Sequence, residues 1–267
     1  MGATVELEQL LEPLRGHPQA TAVVCDIDGT LAPIVARPED AAVPVRGREV
    51  LRRLAERFAL VACLSGRRAA VAREIVGIQE LIYIGNHGLE VLEPGAEEAR
   101  PDPRLESAPE RVRAFAEGAL TGELRTLGVR LEDKDAIWAF HYRGAPDEDA
   151  AHAALEGVAR GAESEGLLPH WGRLVLEIRP PVAADKGTAI TDLVEGAGLT
   201  QALFAGDDTT DLDAFRALRA LRESGRLETA VCVGIRSPEG PAAIVTEADV
   251  VTEGTEGFVE LLERLAA

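Results

Sequence analysis

The alternation of short apolar segments with amphipathic segments constrains the fold of this chain more than any other feature. Continuous apolar runs, typical of buried strands, lie at 22–25, 59–64, 81–84, 202–205, 230–234 and 248–251. Helical patterns separate most of these runs, at 46–57, 67–76, 187–195 and 209–222. Strands that are apolar on both faces and alternate with helices are typical of a parallel sheet covered on both sides. The sequence therefore predicts an α/β core with a doubly wound, Rossmann-like parallel sheet.

The middle of the chain has a different pattern. After the Pro- and Glu-rich stretch EPGAEEARPDPRLESAPE, helical patterns near 110–124 and 147–165 alternate with the strand-like segments GVRLEDK, AIWAFHYR and RLVLEIRP. Two helices beside strands that are close enough to pair antiparallel predict a small α+β domain inserted into the core. We expect the core to comprise residues 1–92 and 181–267, and the inserted domain residues 93–180.

Composition excludes several classes of partner. The formal net charge of -18 argues against binding to nucleic acid or to an anionic membrane. No apolar run approaches the length of a membrane span, and the segment MGATVELEQLLEPLRG is acidic where a signal peptide is basic. Cys25, Cys63 and Cys232 each lie inside an apolar run without metal-ligand spacing, which indicates buried thiols in a reducing compartment. We expect a cytoplasmic protein; the oligomeric state stays open, with a monomer favoured.

Two carboxylates follow the first apolar strand, in the segment TAVVCDIDGT. Asp26 and Asp28 are two positions apart, so in an extended segment both side chains face the same way, whereas Ile27 faces the core. Two desolvated carboxylates repel one another unless a cation or a proton compensates them. Hard oxygen ligands favour Mg²⁺ over zinc. For this segment alone, a solvated Asp-Gly turn is the alternative.

A second acidic cluster, GDDTTDLDAF, follows a later apolar strand. It supplies Asp207, Asp208 and Asp211, which by themselves could serve only to cap a helix. Ligands in open α/β sheets bind beyond the carboxyl ends of the strands, so we expect this cluster to converge with Asp26 and Asp28.

Groups suited to an anion occupy matching positions. Ser65, in LSGRRAA, ends a strand and opens a helix, so its hydroxyl and the backbone N–H groups after it offer a phosphate site. Lys186, in ADKGTAI, precedes another helix and could neutralise both the aspartates and a phosphoryl group. Either segment could also be an ordinary helix start. Together they describe phosphoryl transfer in which Asp26 is the nucleophile and Asp28 the general acid/base.

These motifs resemble a known family signature. DIDGT, Ser65, Lys186 and GDDTTD, in this order, resemble the four motifs of haloacid-dehalogenase-like phosphatases. The resemblance implies that Asp26 becomes phosphorylated and that Asp28 transfers protons. It also implies that Mg²⁺ is held by Asp26, the backbone carbonyl of Asp28 and Asp207, while Asp208 and Asp211 contact these ligands.

A narrower resemblance covers nearly the whole chain. The segments DGTLAPIVARPEDAAVP, LSGR, GNHGLE, LEDKDAIWAFHYR, LVLEIRPPVAADKG and GDDTTDLDAF resemble the trehalose-6-phosphate phosphatase family. The resemblance implies hydrolysis of trehalose 6-phosphate and a mobile cap, the inserted domain, that recognises the sugar. The substrate-binding positions that it implies are Arg67, Asn86, His87 and Glu90 in the core and Glu132, Lys134, Arg143, Arg173 and Glu177 in the cap.

Other interpretations remain open. Ile27 and Leu212 depart from the residues common in that family, which affects sugar specificity more than the phosphatase chemistry. The charged strand positions of the inserted domain also fit a cross-strand salt-bridge network on a solvated face. A phosphatase of another glycosyl phosphate, such as sucrose 6-phosphate or a mannosyl- or glucosyl-phosphoglycerate, is the nearest rival. A catalytically silent sugar-phosphate-binding module and a phosphomutase are the others.

Overall fold

The chain forms two compact units. The computed structural model describes residues 2–35, 37–237 and 240–267. The first unit, called the core unit, runs to Arg100 and resumes at Ala184; the second, called the inserted unit, is Pro101–Ala183. Among the described residues, no helix is both long enough and apolar enough to cross a bilayer.

The described residues form twelve strands and ten α-helices. In chain order the strands are β1 (Thr21–Cys25), β2 (Leu60–Leu64), β3 (Ile82–Gly85), β4 (Glu90–Leu92), β5 (Arg100–Pro101), β6 (Arg130–Asp133), β7 (Trp138–His141), β8 (Leu168–Gly172), β9 (Val175–Arg179), β10 (Gln201–Gly206), β11 (Thr229–Arg236) and β12 (Val250–Glu253). The helices are α1 (Gly2–Gly16), α2 (Val45–Arg57), α3 (Ala69–Val76), α4 (Ala108–Ala119), α5 (Gly122–Thr126), α6 (Glu148–Ser164), α7 (Lys186–Gly196), α8 (Asp211–Glu223), α9 (Ala242–Glu247) and α10 (Gly254–Ala266).

The large sheet confirms the predicted α/β architecture. Its order is β12-β11-β10-β1-β2-β3-β4-β5, and the pairs from β12 to β3 are parallel, whereas β4 runs antiparallel to β3. The chain builds outward from β1 in one direction through β2 and β3, and in the other through β10 to β12. The strand order therefore reverses beside β1, which is where open α/β sheets bind their ligands.

The central strand is buried on both faces. Val23 and Cys25 pack into one apolar cluster, whereas Ala22 and Val24 pack into another on the opposite face of the sheet. This two-sided burial explains why the strand reads as a continuous apolar run. Ile27, just beyond the strand, is fully buried in the first cluster, as predicted.

The inserted unit contains the separate four-stranded antiparallel sheet β6-β7-β9-β8. Alternate residues of its two central strands, Trp138, Phe140, Leu176 and Ile178, share an apolar cluster with residues of α4 and α6. The strand β8 escaped prediction because its sequence, LPHWG, has neither a continuous apolar run nor simple alternation; pairing with β9 forms it.

The single helix predicted at 110–124 was wrong. The structure ends α4 at Ala119 and begins a new helix, α5, at Gly122. Thr121 causes the interruption, since its hydroxyl accepts a hydrogen bond from the Leu124 N–H and so caps α5.

Candidate active site

A buried carboxylate cluster lies at the carboxyl ends of β1 and β10. Oxygen atoms of Asp26, Asp207 and Asp211 all lie within 4.8 Å of one another. Lys186 donates from Nζ to Asp26 Oδ1 at 2.7 Å and to Asp211 Oδ1 at 2.6 Å. All four side chains are buried. The structure therefore brings together residues from both predicted aspartate motifs and the predicted lysine.

One ammonium group compensates three carboxylates in this cluster. Burial raises the pKa of Asp26 well above its ordinary value, although Lys186 opposes the rise. Burial raises the pKa of Asp207 to about 7, with the Asp211 charge adding to the effect. Burial alone would lower the pKa of Lys186, but Asp211 and Asp26 raise it instead. The lysine is therefore charged, and the three carboxyl groups together favour uptake of a proton or of a further cation.

Local sequence explains how the lysine reaches the cluster. Asp185 caps α7, since its carboxylate accepts a hydrogen bond from the Thr188 N–H at 2.7 Å. In return, the Thr188 hydroxyl oxygen accepts one from the Asp185 N–H at 3.0 Å. This reciprocal capping box fixes the direction in which α7 begins. Lys186, the first residue of the helix, is directed into the cluster in consequence.

Asp211 organises the loop that carries Asp207. Its Oδ2 accepts the N–H groups of Asp207 at 3.0 Å and Asp208 at 2.9 Å, while its Oδ1 binds Lys186. The Asp208 side chain is exposed, and its Oδ1 accepts the local Thr209 N–H at 2.6 Å. The buried Asp211 side chain therefore fixes the backbone of this loop, whereas the Asp208 side chain lies at the surface beside the cluster.

The backbone after Asp28 lies directly against Asp207. Gly29 has φ +86°, and a Cβ at this position would lie 2.1 Å from Asp207 Oδ2. Thr30, which sequence reasoning missed, donates its hydroxyl to Asp207 Oδ1 at 3.4 Å. Its place in the DGT motif was the available signal. Only glycine at position 29 permits this close approach.

The donor set fits a divalent cation that prefers oxygen ligands. Three carboxyl groups are buried together beside one lysine, and their ionised forms are costly there unless a further cation compensates them. No sulfur or imidazole group belongs to this cluster of described residues. The chemistry of the cluster therefore matches a hard cation better than zinc.

The Asp28 side chain binds Arg67, whereas the Asp26 side chain binds Lys186. Both Asp28 oxygens are held by Arg67, with Nε donating to Oδ2 and Nη2 to Oδ1, each at 2.7 Å. Arg67 Nη1 also donates to the Pro38 carbonyl at 3.1 Å. The Asp28 side chain is about a third exposed and lies outside the carboxylate cluster. The Asp28 side chain is therefore paired with Arg67 and is separate from the three carboxylates that Lys186 contacts or adjoins.

The loop after β2 and the turn after β3 are bonded together. The Ser65 carbonyl accepts the His87 N–H at 3.0 Å, and the Arg67 carbonyl accepts the Asn86 N–H at 2.8 Å. Asn86 and His87 have φ of 50° and 57°, a conformation uncommon for residues other than glycine. The His87 ring lies against Gly66, where a Cβ would approach Nε2 to 2.7 Å. These contacts place Ser65, Arg67, Asn86 and His87 in one assembly.

The side chain of Glu90, in β4, reaches the N-terminus of α3. Its Oε1 accepts the Ala69 N–H at 2.6 Å, and its side chain is buried. A carboxylate at this position satisfies the helix N-terminus and interacts favourably with the helix dipole. The Ala69 N–H is therefore taken by Glu90, and the Arg67 N–H before α3 donates to Ser65 Oγ at 3.2 Å.

In the inserted unit, the predicted residues form three groups. Lys134 Nζ donates to Glu177 Oε1 at 2.8 Å. Glu132 Oε2 lies 2.6 Å from His141 Nε2. The exposed Arg143 and Arg173 lie where β7 ends and β8 turns into β9, and Arg143 Nη2 donates to the Arg173 carbonyl at 3.3 Å.

Sequence reasoning missed one partly buried charge in this unit, that of Arg179. Arg179 donates from Nε and Nη2 to Glu177 Oε2 at 3.0 and 2.7 Å. Its spacing of two from Glu177 in a strand was the signal available, since such residues share a face.

Comparison with known proteins gives a consistent result. The trehalose-phosphatase family model matches residues 24–241. A trehalose-phosphate phosphatase of Mycobacterium avium is 40% identical over 210 residues, which cover 76% of this chain and 52% of that protein. The trehalose 6-phosphate phosphatase RA3 of Zea mays is 32% identical over 235 residues, 81% of this chain and 64% of that protein. The chain thus spans about half the length of the mycobacterial relative.

Solved structures agree on the fold. The C-terminal domain of the trehalose-6-phosphate phosphatase of C. albicans superposes with a TM-score of 0.76 at 21% identity, covering 97% of this chain and 96% of that one. A haloacid dehalogenase-like hydrolase from Bacteroides thetaiotaomicron gives a TM-score of 0.64 at 17% identity, covering 92% and 100%. At these identities the likeness establishes the architecture.

Proposed function

The chain belongs to the trehalose-phosphatase family, and we propose that it hydrolyses trehalose 6-phosphate to trehalose and inorganic phosphate through a phosphorylated Asp26. The observation that carries this proposal is the contact of Asp26 with Lys186 inside a buried carboxylate cluster, at the point where the strand order reverses. A nucleophile in such a place has a cation to balance it and little competing water.

The reaction would proceed in two displacements. In the first, an Asp26 oxygen bonds to phosphorus, the bond from phosphorus to the sugar oxygen breaks, and Asp28 gives its proton to that oxygen. In the second, Asp28 takes a proton from water, the water oxygen bonds to phosphorus, and the bond to Asp26 breaks. General acid/base assistance of this kind accelerates reactions by roughly 10²–10⁴. Ser65 and the N–H groups after it would hold phosphoryl oxygens.

Arg67 controls the availability of Asp28 in this scheme. It holds both Asp28 oxygens, so proton transfer requires that Arg67 exchange at least one of these bonds. A bound phosphate or sugar oxygen is a suitable acceptor for the released N–H group. Arg67 would therefore serve both substrate binding and the release of the acid.

Mg²⁺ is the cofactor that we propose. Asp26, Asp207 and the backbone carbonyl of Asp28 would hold it, with Asp208 and Asp211 supporting these ligands. When bound, it supplies positive charge that stabilises the phosphoryl oxygens. The raised pKa of Asp207 and the excess of carboxylates over cations support this assignment.

Substrate recognition is proposed for both units. We propose that residues 93–180 form a mobile cap over a core of residues 1–92 and 181–267. In the core, Arg67, Asn86, His87 and Glu90 would contribute, with Glu90 acting through α3. In the cap, the residues proposed to bind sugar hydroxyls are Glu132, Lys134, Arg143, Arg173 and Glu177. The buried free thiols of the three cysteines support a cytoplasmic location.

The test is phosphate release from a panel of sugar phosphates, measured with Mg²⁺ and with EDTA. Asp26→Asn preserves shape and removes the nucleophile, while Asp208→Asn alters an exposed carboxylate of the same loop. We expect selective turnover of trehalose 6-phosphate by the native chain, abolished in Asp26→Asn and in EDTA, but only reduced in Asp208→Asn.

Three outcomes would contradict parts of this proposal. Equal turnover of trehalose 6-phosphate and simple hexose phosphates would overturn the specificity. Full activity of Asp26→Asn would overturn the mechanism. Binding of the sugar phosphate without turnover by the native chain would favour a silent binding module.

A further inference from the structure

A three-residue ion cluster lies within the inserted sheet, and one of its members has no assigned role. Glu177 stands between Lys134, which donates to Oε1, and Arg179, which donates twice to Oε2. The Glu177 side chain is 7% exposed, and the two cationic side chains are each 13% exposed. Each carboxylate oxygen therefore has its own cation in a nearly dry environment.

Sheet register explains why these charges meet. In β9, Leu176 and Ile178 pack into the apolar cluster beneath α4 and α6. Glu177 and Arg179 alternate with them, so both project from the opposite face. Lys134 reaches the same face from the end of β6, since its N–H pairs with the Ile137 carbonyl. The cluster thus lies on the face that the helices of this unit do not cover.

The ion cluster is better explained by the fixed orientation that it gives the Glu177 carboxylate than by a gain in folding stability. Burying three charges has a large desolvation cost, and well-packed apolar residues at such positions are often equally or more stabilising. What the arrangement does provide is a fixed carboxylate. With Lys134 alone, Glu177 could rotate about its terminal torsion and exchange its two oxygens. Arg179 prevents this, because its rigid guanidinium holds Oε2 with two N–H groups.

We propose that Arg179 is a positioning residue for sugar recognition, which holds the Glu177 carboxylate in the orientation that binds a sugar hydroxyl. The inference rests on the proposed function, in which Glu177 and Lys134 contact the sugar. Sugar hydroxyls form hydrogen bonds that depend strongly on direction, so a freely rotating carboxylate binds them less well. The groups proposed for phosphoryl transfer belong to the other unit, so the effect of Arg179 belongs in sugar binding.

The experiment compares the native chain with Arg179→Gln, Arg179→Lys, Glu177→Gln and the double variant Glu177→Gln/Arg179→Gln. The matched control is Arg160→Gln, which alters an exposed arginine paired with Glu156 on α6. KM and kcat are measured on the sugar phosphate that the native chain turns over best, and on p-nitrophenyl phosphate, which has no sugar. Circular dichroism melting confirms that each variant is folded.

We expect Arg179→Gln to raise the ratio of the sugar-phosphate KM to the p-nitrophenyl phosphate KM about tenfold, the loss of one well-directed charged hydrogen bond. Arg179→Lys should recover part of this loss, and Arg160→Gln should show none. The double variant should match Glu177→Gln alone, since Arg179 acts only through Glu177.

Two results would overturn the inference. One is an unchanged KM ratio in folded Arg179→Gln; the other is a loss in the double variant equal to the product of the two single losses, which would mean that Arg179 acts independently. If the native chain turns over no sugar phosphate at all, the proposed function itself fails, and the inference fails with it. That case is distinguished because the native chain is then inactive before any substitution.

Discussion

Replacing Lys186 by methionine tests the electrostatic account of the carboxylate cluster. The ammonium group touches Asp26 and Asp211 at 2.7 and 2.6 Å, and its side chain is 3% exposed. Methionine preserves most of the aliphatic stem, so the change removes charge and leaves only a small void. The three carboxylates then have no cation within the cluster.

The expected cost can be bounded. Removing one partner of a buried ion pair costs about 3–5 kcal/mol. The value here should lie near the low end, about 3 kcal/mol, because the pKa of Asp26, Asp207 and Asp211 is already raised and these groups can take up protons. This uptake of protons also predicts a pH dependence. At about pH 5 more of the carboxyl groups are protonated in both the native chain and Lys186→Met, so the difference between their free energies of unfolding should shrink.

Urea unfolding in EDTA provides the assay. Both tryptophans, Trp138 and Trp171, belong to the inserted unit, so their fluorescence reports that unit, while far-ultraviolet circular dichroism reports the whole chain. Lys134→Met is the matched control. It removes the other lysine, which is partly exposed, but leaves Arg179 on Glu177, so we expect a loss of about 1 kcal/mol or less.

Two results would refute the reasoning. A Lys186→Met protein as stable as the native chain at neutral pH would mean that the lysine does not compensate the cluster. A loss that stays the same at about pH 5 would mean that its origin is packing and not charge.

Two further predictions concern the same cluster. Gly29→Ala should lower the free energy of unfolding by about 2 kcal/mol and weaken Mg²⁺ binding, because its Cβ would clash with Asp207 and its φ is positive. Gly157→Ala, in open space on α6, is the control, and both variants are measured by calorimetry. Equal stability and equal Mg²⁺ binding of the two variants would contradict this account. In EDTA, unfolding free energy should fall from about pH 4 to pH 7, because the raised pKa of Asp207, about 7, lets the folded state keep a proton that the unfolded state releases. Urea titrations of Asp207→Asn should show a shallower fall, and an identical slope in both proteins would refute the assignment.

The sequence predicts those elements whose cause is local. The strands around β1 are continuous apolar runs because both of their faces are buried. Asp26 and Asp207 meet because their motifs follow the neighbouring strands β1 and β10, and Lys186 reaches them from the start of α7. A strand that depends on its partner for its conformation escaped prediction. The strand β8 exists because β9 pairs with it, and its own sequence has no clear strand pattern.

Long-range side-chain contacts were equally invisible. Nothing in the segment around Asp28 indicates that Arg67, 39 positions away, binds both of its oxygens. Likewise, Glu90 reaches the start of α3 across 21 positions. Such contacts depend on the packed sheet, which places side chains beside partners that spacing along the chain does not specify.

The two lysines have a practical consequence for chemical labelling. Lys134 and Lys186 are the only lysines in the sequence, and both ε-amino groups are nearly buried against carboxylates. Acylating reagents attack the neutral amine, a form that the ion pairs with Asp211 and Asp26 disfavour at Lys186 because they raise its pKa. An amine-directed cross-linker would therefore find no readily available ε-amino group on the folded protein. Acylation at Lys186 would instead register opening of the core unit, and acylation at Lys134 opening of the inserted unit.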